Sequence, residues 1–149
     1  MGSRLFIADT SRSNDGDGRD ANAHDPGDYT ATQNSSWHGT HVSGTIAAVA
    51  NNAKGVAGAA FGARILPVRV LGRDGGDGSD IVDAITWASG GSVPGVPVNP
   101  DPAEVLNLSL GGGGGCSASY QSAINGAVSR GSLVVVAAGN ENIDAAGGS

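Results

Sequence analysis

The stretch EVLNLSLGGGGGCSASYQSAINGAVSRGSLVVVAA, residues 104–138, decides the fold class of this 149-residue chain. It begins with a short apolar run, passes through five glycines, continues with apolar residues at helical spacing, and ends in a β-branched run. Two short apolar runs joined by a helical pattern predict buried parallel strands connected by a helix. We therefore predict that strands near 104–110 and 132–138 are parallel neighbours.

The same alternation extends toward the N-terminus. ARILPVRVL at 63–71 is a third β-branched run that predicts a buried parallel strand, and the helix after it is predicted to have Ser79 as its N-cap and to end at Gly90-Gly91. Strands and helices in alternation predict a three-layer α/β sandwich with a mostly parallel sheet, in which the strands near 64–71, 104–110 and 132–138 are parallel neighbours. Because the sequence before residue 37 is polar and irregular, we divide the chain into an acidic loop region at 1–36 and an α/β core segment at 37–149. The inner face of the last helix is predicted to carry Tyr120, Ile124, Ala127 and Val128.

Charge and hydropathy limit the possible partners. The net charge is −6, and Lys54 is the one lysine beside seven arginines, so no basic stripe is present to bind a nucleic-acid backbone. No apolar run approaches the roughly 20 residues that a membrane-spanning helix needs. We expect neither nucleic acid nor membrane as a partner.

An acidic segment, NDGDGRDANAHDPGD, occupies residues 14–28. Glycines between the carboxylates allow oxygen atoms to converge, which a hard cation such as Ca²⁺ requires. The segment lacks the spacing of an EF-hand loop, so a solvated acidic loop without an ion is the alternative. If calcium binds, its candidate ligands are Asp15, Asp17, Asp20, Asp25 and Asp28.

Two histidines stand three positions apart in SSWHGTHVSGTIAAV, residues 35–49. The small and apolar residues after them predict a helix packed closely on all sides, with His38 at the junction between loop and helix. There a ring can face a cleft and act as a general base. A metal-dependent hydrolase using His24, His38 and His41 is the alternative, although the H-E-x-x-H spacing and its glutamate are absent.

Three segments, in this order, resemble the subtilisin-like serine proteases, the subtilase family: HGTHVSGTIAA at 38–48, LNLSLGG at 106–112 and VVVAAGNEN at 134–142. The resemblance implies an endopeptidase that hydrolyses peptide bonds through a Ser-His-Asp triad. It assigns His38 as the general base, His41 as a structural residue, and Asn140 as the donor that holds the oxyanion. It also implies that Ser109, Leu110 and Gly111 form an edge that binds an extended protein or peptide substrate. Gly139, before Asn140, is a further candidate substrate-binding residue.

The acidic segment resembles that of secreted bacterial members with an extended loop before the catalytic histidine, which implies an extracellular protein. The nucleophile of the family lies in a Gly-Thr-Ser-Met-Ala/Pro segment, and these 149 residues contain no such segment. Asp9 is a candidate for the triad aspartate, but Thr10-Ser11 follows it where the family has Thr-Gly or Ser-Gly, so we interpret Asp9 as a decoy. We therefore expect the chain alone to be inactive. A non-catalytic peptide-binding module that uses the Ser109–Gly111 edge is the other alternative.

Overall fold

A computed structural model describes residues 2–142 of the chain. Helices alternate with parallel strands along these residues, as expected for an incomplete α/β fold. The chain divides into two compact units, residues 1–77 and residues 78–149. The division falls within the predicted core segment, well after residue 36.

In the first unit, a short parallel ladder anchors a small core. Strand β1 (Arg4–Leu5) pairs in parallel with strand β2 (Val68–Arg69). Leu5, Phe6 and Ile7 are at most 1% exposed and form the centre of this core. Only two residues of the predicted strand at 63–71 join the ladder, and a single turn of helix, α1 (Thr10–Ser13), follows β1.

Helix α2 (His38–Ala47) was predicted to be packed on all sides, and that prediction is wrong, since it has no buried residue. Its small residues permit close packing, but close packing also needs a neighbouring element. In the first unit no described helix or strand packs broadly against α2. Instead the amides of residues 58–60 donate to carbonyls at its C-terminal end, at 2.7–3.0 Å, and there Gly58 leaves no room for a Cβ atom.

The second unit contains the predicted strand–helix–strand. Strands β3 (Val105–Leu108) and β4 (Leu133–Val136) pair in parallel, with Val105 opposite Leu133 and Leu108 opposite Val136. Their parallel pairing is confirmed, whereas the predicted pairing of the strand at 64–71 with them is not seen, because among the described strands β2 pairs with β1 alone. The helices of this unit are α3 (Gly78–Ala88) and α4 (Ala118–Ser129), which pack on each other.

Three details of the second unit differ from the predictions. Helix α3 begins at Gly78, so Ser79 lies within its first turn and is not its N-cap. Val128 is 58% exposed and Ala123 is buried instead, because the helical period centres the inner face of α4 on residues 123 and 127. Strand β4 is not buried: Leu133 and Val136 are more than half exposed, since β4 pairs with β3 alone among the described strands.

Candidate active site

His38 is the first residue of α2, and its side chain is exposed. Its backbone N–H donates to Ser36 Oγ at 3.3 Å. Trp37, between the two, has a φ of 52°, a left-handed conformation that is strained for a bulky side chain. His41 is also exposed, and its N–H donates to the carbonyl of Trp37 at 2.9 Å. The candidate base therefore begins its helix immediately after a strained residue.

A carboxylate holds the segment that precedes His38. The N–H of Ser36 donates to Asp28 Oδ1 and its hydroxyl donates to Oδ2, both at 2.6 Å. These two hydrogen bonds, first that of the hydroxyl and then that of the N–H, keep the pKa of Asp28 below its ordinary value of 3.8. Asp28 was predicted as a calcium ligand, but in the structure its carboxylate orders the turn into α2. No local motif in the sequence indicates this contact across eight residues.

Asn140 lies in the second unit, four residues beyond the end of β4, and is exposed. Its backbone N–H donates to Glu141 Oε2 at 2.7 Å. Gly139 before it has a φ of +88°, a conformation that glycine adopts without strain. Within residues 2–142 no protein partner is recorded for the Asn140 side-chain amide, which is the group that the oxyanion role requires.

Residues 109–111 continue β3 beyond its pairing with β4. Ser109 Oγ accepts a hydrogen bond from Asn107 Nδ2 at 2.9 Å, Ser109 and Leu110 are partly exposed, and Gly111 is fully on the surface. No main-chain hydrogen bond joins these three residues to another backbone group of the described chain. Their N–H and C=O groups are therefore available to an extended peptide.

Asp9 has a structural role in the first unit. Its Oδ1 accepts the N–H of Ser11 at 2.8 Å and the hydroxyl of Ser11 at 2.7 Å, which makes it the N-cap of α1. The hydroxyl hydrogen bond is the largest cause that lowers the pKa of Asp9 below 3.8, and the backbone hydrogen bond is the next. This capping role needs no neighbouring histidine, and the interpretation that Asp9 is not the triad aspartate stays a prediction.

The acidic segment is organised around a guanidinium. Arg69 has a side chain only 7% exposed, and it donates to the carbonyl of Ser13 at 2.7 Å and to Asp15 Oδ2 at 3.2 Å. It also lies 3.7 Å from Asp25 Oδ1 and 3.5 Å from the carbonyl of His24. Asp15 and Asp25 therefore have a protein cation as their partner.

The other proposed calcium ligands do not complete an ion site. Asp20 Oδ1 accepts the N–H of Asn22 at 2.9 Å, and the carbonyl of Asp17 accepts the Ser13 hydroxyl at 2.6 Å. In residues 2–142 no three Asp, Glu, His or Cys side chains come close enough to hold a metal ion. The described arrangement thus fits neither the predicted calcium set nor a zinc site built from His24, His38 and His41.

Comparison with known proteins assigns the chain to a family. The model of the subtilase family matches residues 4–149. An extracellular protease of Xanthomonas campestris pv. campestris is 60% identical over 151 residues, which cover 95% of this chain and 26% of that protein. An extracellular basic protease of Dichelobacter nodosus is 50% identical over 153 residues, covering 94% of this chain and 25% of that protein. The chain therefore spans about a quarter of the length of these relatives.

A solved structure shares the fold. A protease from Pseudoalteromonas arctica superimposes with a TM-score of 0.93 at 57% sequence identity, covering 95% of this chain and 44% of the other. The helices of residues 2–142 lack the length and apolar character that a membrane-spanning segment needs. The family match over nearly the whole sequence, together with this structural likeness, shows that the chain belongs to the subtilase family of serine proteases.

Proposed function

We propose that this chain is a catalytic-domain segment of a serine endopeptidase that cleaves peptide bonds in proteins. The segment supplies the general base His38, the oxyanion donor Asn140 and one wall of the substrate cleft. The observation that carries the proposal is the exposed His38 at the first position of α2, within the motif that aligns with proteases.

The proposed chemistry follows from the two side chains. The imidazole of His38 takes the proton of a serine hydroxyl as the serine oxygen attacks the peptide carbonyl, and then gives that proton to the leaving amine. The amide N–H₂ of Asn140 donates to the oxyanion that forms, and stabilises its charge without supplying a proton. The serine is contributed by polypeptide outside the 149 residues, because no nucleophile motif of the family occurs in them.

The substrate is proposed to be an extended protein or peptide segment. Residues 109–111 offer main-chain donors and acceptors that no described backbone group engages, which suits addition of a peptide strand. Gly139 lets the chain turn beside Asn140 without a side chain that would obstruct the substrate. An extracellular location is proposed because the relatives from Xanthomonas campestris and Dichelobacter nodosus are named extracellular proteases.

Calcium has no part in the proposed mechanism. The calcium site predicted from the sequence stays a prediction, and it would require Asp15 and Asp25 to exchange Arg69 for the ion. Calcium bound in that way would order the acidic segment and would not touch the reacting groups.

A chimera tests the proposal. The chain would replace the matching segment of the Xanthomonas campestris protease, which is 60% identical, and casein hydrolysis would be measured. We expect an active chimera that loses activity on His38→Ala, because the base is removed, while His24→Ala, an exposed histidine of the acidic segment, leaves activity in place. Activity that survives His38→Ala would contradict the proposal.

A non-catalytic peptide-binding module is the second candidate, favoured by the free main chain of residues 109–111. It predicts that the isolated chain binds an extended peptide and that Leu110→Pro weakens this binding, because proline removes the N–H of residue 110. It also predicts a chimera that binds peptides without cleaving them. Turnover by the chimera that depends on His38 would exclude this candidate.

A further inference from the structure

We infer that Asp28 is the positioning residue for His38, and that it acts through Ser36. The inference rests on the proposed role of His38 as the base, and it adds a device that fixes where the base stands. Asp28 accepts two hydrogen bonds of 2.6 Å from Ser36, and Ser36 Oγ accepts a hydrogen bond from the N–H of His38. Two consecutive hydrogen bonds, from the Ser36 hydroxyl to the carboxylate and from the His38 N–H to Ser36 Oγ, therefore connect Asp28 to the backbone of the base.

The strained residue between Ser36 and His38 explains why the backbone at Ser36 must be held by hydrogen bonds. Trp37 has a φ of 52°, and its side chain supplies no capping hydrogen bond to α2. A left-handed conformation at a non-glycine residue persists only when the surrounding structure holds it. The contacts on either side of Trp37 come from Ser36, which Asp28 holds, and from His41, whose N–H donates to the Trp37 carbonyl.

The backbone that carries Asp28 is itself fixed. Gly27 is buried with a φ of +100°, and a Cβ atom there would clash with the Ser35 side chain. The carbonyl of Gly27 accepts from Asn14 Nδ2, and its N–H donates to Asp25 Oδ1, each at 2.9 Å. Asp25 in turn lies 3.7 Å from the Arg69 guanidinium. Asp28 therefore follows a hydrogen-bonded turn, and the contact between Asp25 and Arg69 connects this turn to strand β2.

The charge of Asp28 matters as well as its shape. Both carboxylate oxygens are acceptors, and a charge-assisted hydrogen bond is about twice as strong as a neutral one. Asparagine at position 28 would keep the volume but lose one acceptor and the charge. The depressed pKa of Asp28 agrees with a carboxylate that the Ser36 donors stabilise in its ionised form.

The test measures the order of His38 in the isolated 149-residue chain by ¹⁵N relaxation and amide hydrogen exchange. In the wild type we expect a rigid His38 amide, with an order parameter of about 0.85. Asp28→Asn is expected to lower that value below about 0.6 and to speed exchange of the Ser36 amide by about tenfold, since a hydrogen bond to a charged group is lost. Thr45, two turns further along α2, keeps its order parameter, which separates loss of position from general loosening of the helix.

Three further variants complete the test. Ser36→Ala removes the hydroxyl that joins Asp28 to His38 and is expected to loosen His38 as Asp28→Asn does, whereas Ser36→Thr retains a hydroxyl and restores the wild-type value. Asp17→Asn is the matched control, because it makes the same charge change in the same segment and no protein partner is recorded for its carboxylate among the described residues. If Asp28→Asn does not fold, Ser36→Ala decides, since its backbone N–H still reaches Asp28. The inference is overturned if His38 stays rigid in both Asp28→Asn and Ser36→Ala, or if Asp17→Asn loosens it equally. None of these measurements requires proteolysis, so the proposed function is judged separately by the chimera.

Discussion

Replacement of Arg69 by methionine tests the organisation of the first unit most severely. The guanidinium is 7% exposed and contacts the Asp15 and Asp25 carboxylates and the Ser13 carbonyl. Methionine has similar length and fills the space, but it leaves two carboxylates without their cation. Removing one partner of a buried ion pair costs about 3–5 kcal/mol. The side chains of Asp15 and Asp25 remain 19% and 28% exposed, so hydration of their carboxylates offsets part of this cost. We therefore expect the free energy of unfolding of the first unit to fall by about 3 kcal/mol.

The loss should be confined to the first unit, where all of these contacts lie. Native-state hydrogen exchange measures the loss of stability separately in each unit. The Phe6 N–H, which donates to the Arg69 carbonyl at 2.9 Å, reports on the first unit, and the main-chain amides of β4 report on the second. Arg69→Lys keeps the charge but cannot reach several acceptors at once, so we expect a loss of about 1–2 kcal/mol. Arg64→Met, a change at an exposed arginine, is the control, with an expected effect within about 0.5 kcal/mol.

An Arg69→Met variant that loses less than about 1 kcal/mol at the Phe6 amide would refute the reasoning. So would an equal loss at Phe6 and in β4, because it would mean that the guanidinium stabilises the chain as a whole.

Three further predictions follow from the same contacts. Calcium at millimolar concentration should raise the melting temperature of Arg69→Met more than that of the wild type, because Asp15 and Asp25 are then free to bind the ion; an equal or larger rise in the wild type would contradict the competition between Arg69 and Ca²⁺. The wild type should be more stable than Asp28→Asn at pH 7, and this difference should shrink as the pH falls below about 3.8. The pKa of Asp28 is lowered in the folded chain, so its contribution to stability is lost when the carboxylate is protonated. Urea unfolding at pH 7 and pH 2.5 measures the difference, and a constant difference would contradict the prediction. Asn140→Ala in the active chimera should reduce kcat by about 10²–10³-fold with little change in KM, a magnitude taken from the oxyanion donor of a subtilisin. A reduction of less than about threefold would contradict the oxyanion role of Asn140.

The strand–helix–strand of the second unit could be predicted from the sequence because its signals are local. The apolar runs that became β3 and β4 are continuous, and the helix between them ends before Gly131, whose φ of +95° suits glycine. The exposure of β4 could not be predicted. An apolar run indicates a preference for burial, but it does not show whether another element covers the strand. Leu133, Val135 and Val136 are between 45% and 60% exposed as a result.

The position of His38 could be predicted from its motif, whereas the residues that support it could not. Asp28 reaches Ser36 across eight residues, and Arg69 reaches Asp15 across 54, so neither contact has a periodic signature. The five aspartates predicted a calcium ion, whereas two of them contact a guanidinium from strand β2 in the structure. Composition alone cannot distinguish a metal ion from an arginine that is distant in sequence.

Labelling with a fluorophosphonate, which reacts with the activated serine of serine hydrolases, tests the central claim most directly. The account predicts no labelling of the isolated 149-residue chain. The chimera with the Xanthomonas campestris protease should be labelled at a serine outside these residues, and His38→Ala should abolish that labelling because the serine is no longer activated. Stoichiometric labelling of a serine within residues 1–149, or undiminished labelling of the His38→Ala chimera, would contradict the claim that this chain supplies the base and depends on other polypeptide for the nucleophile.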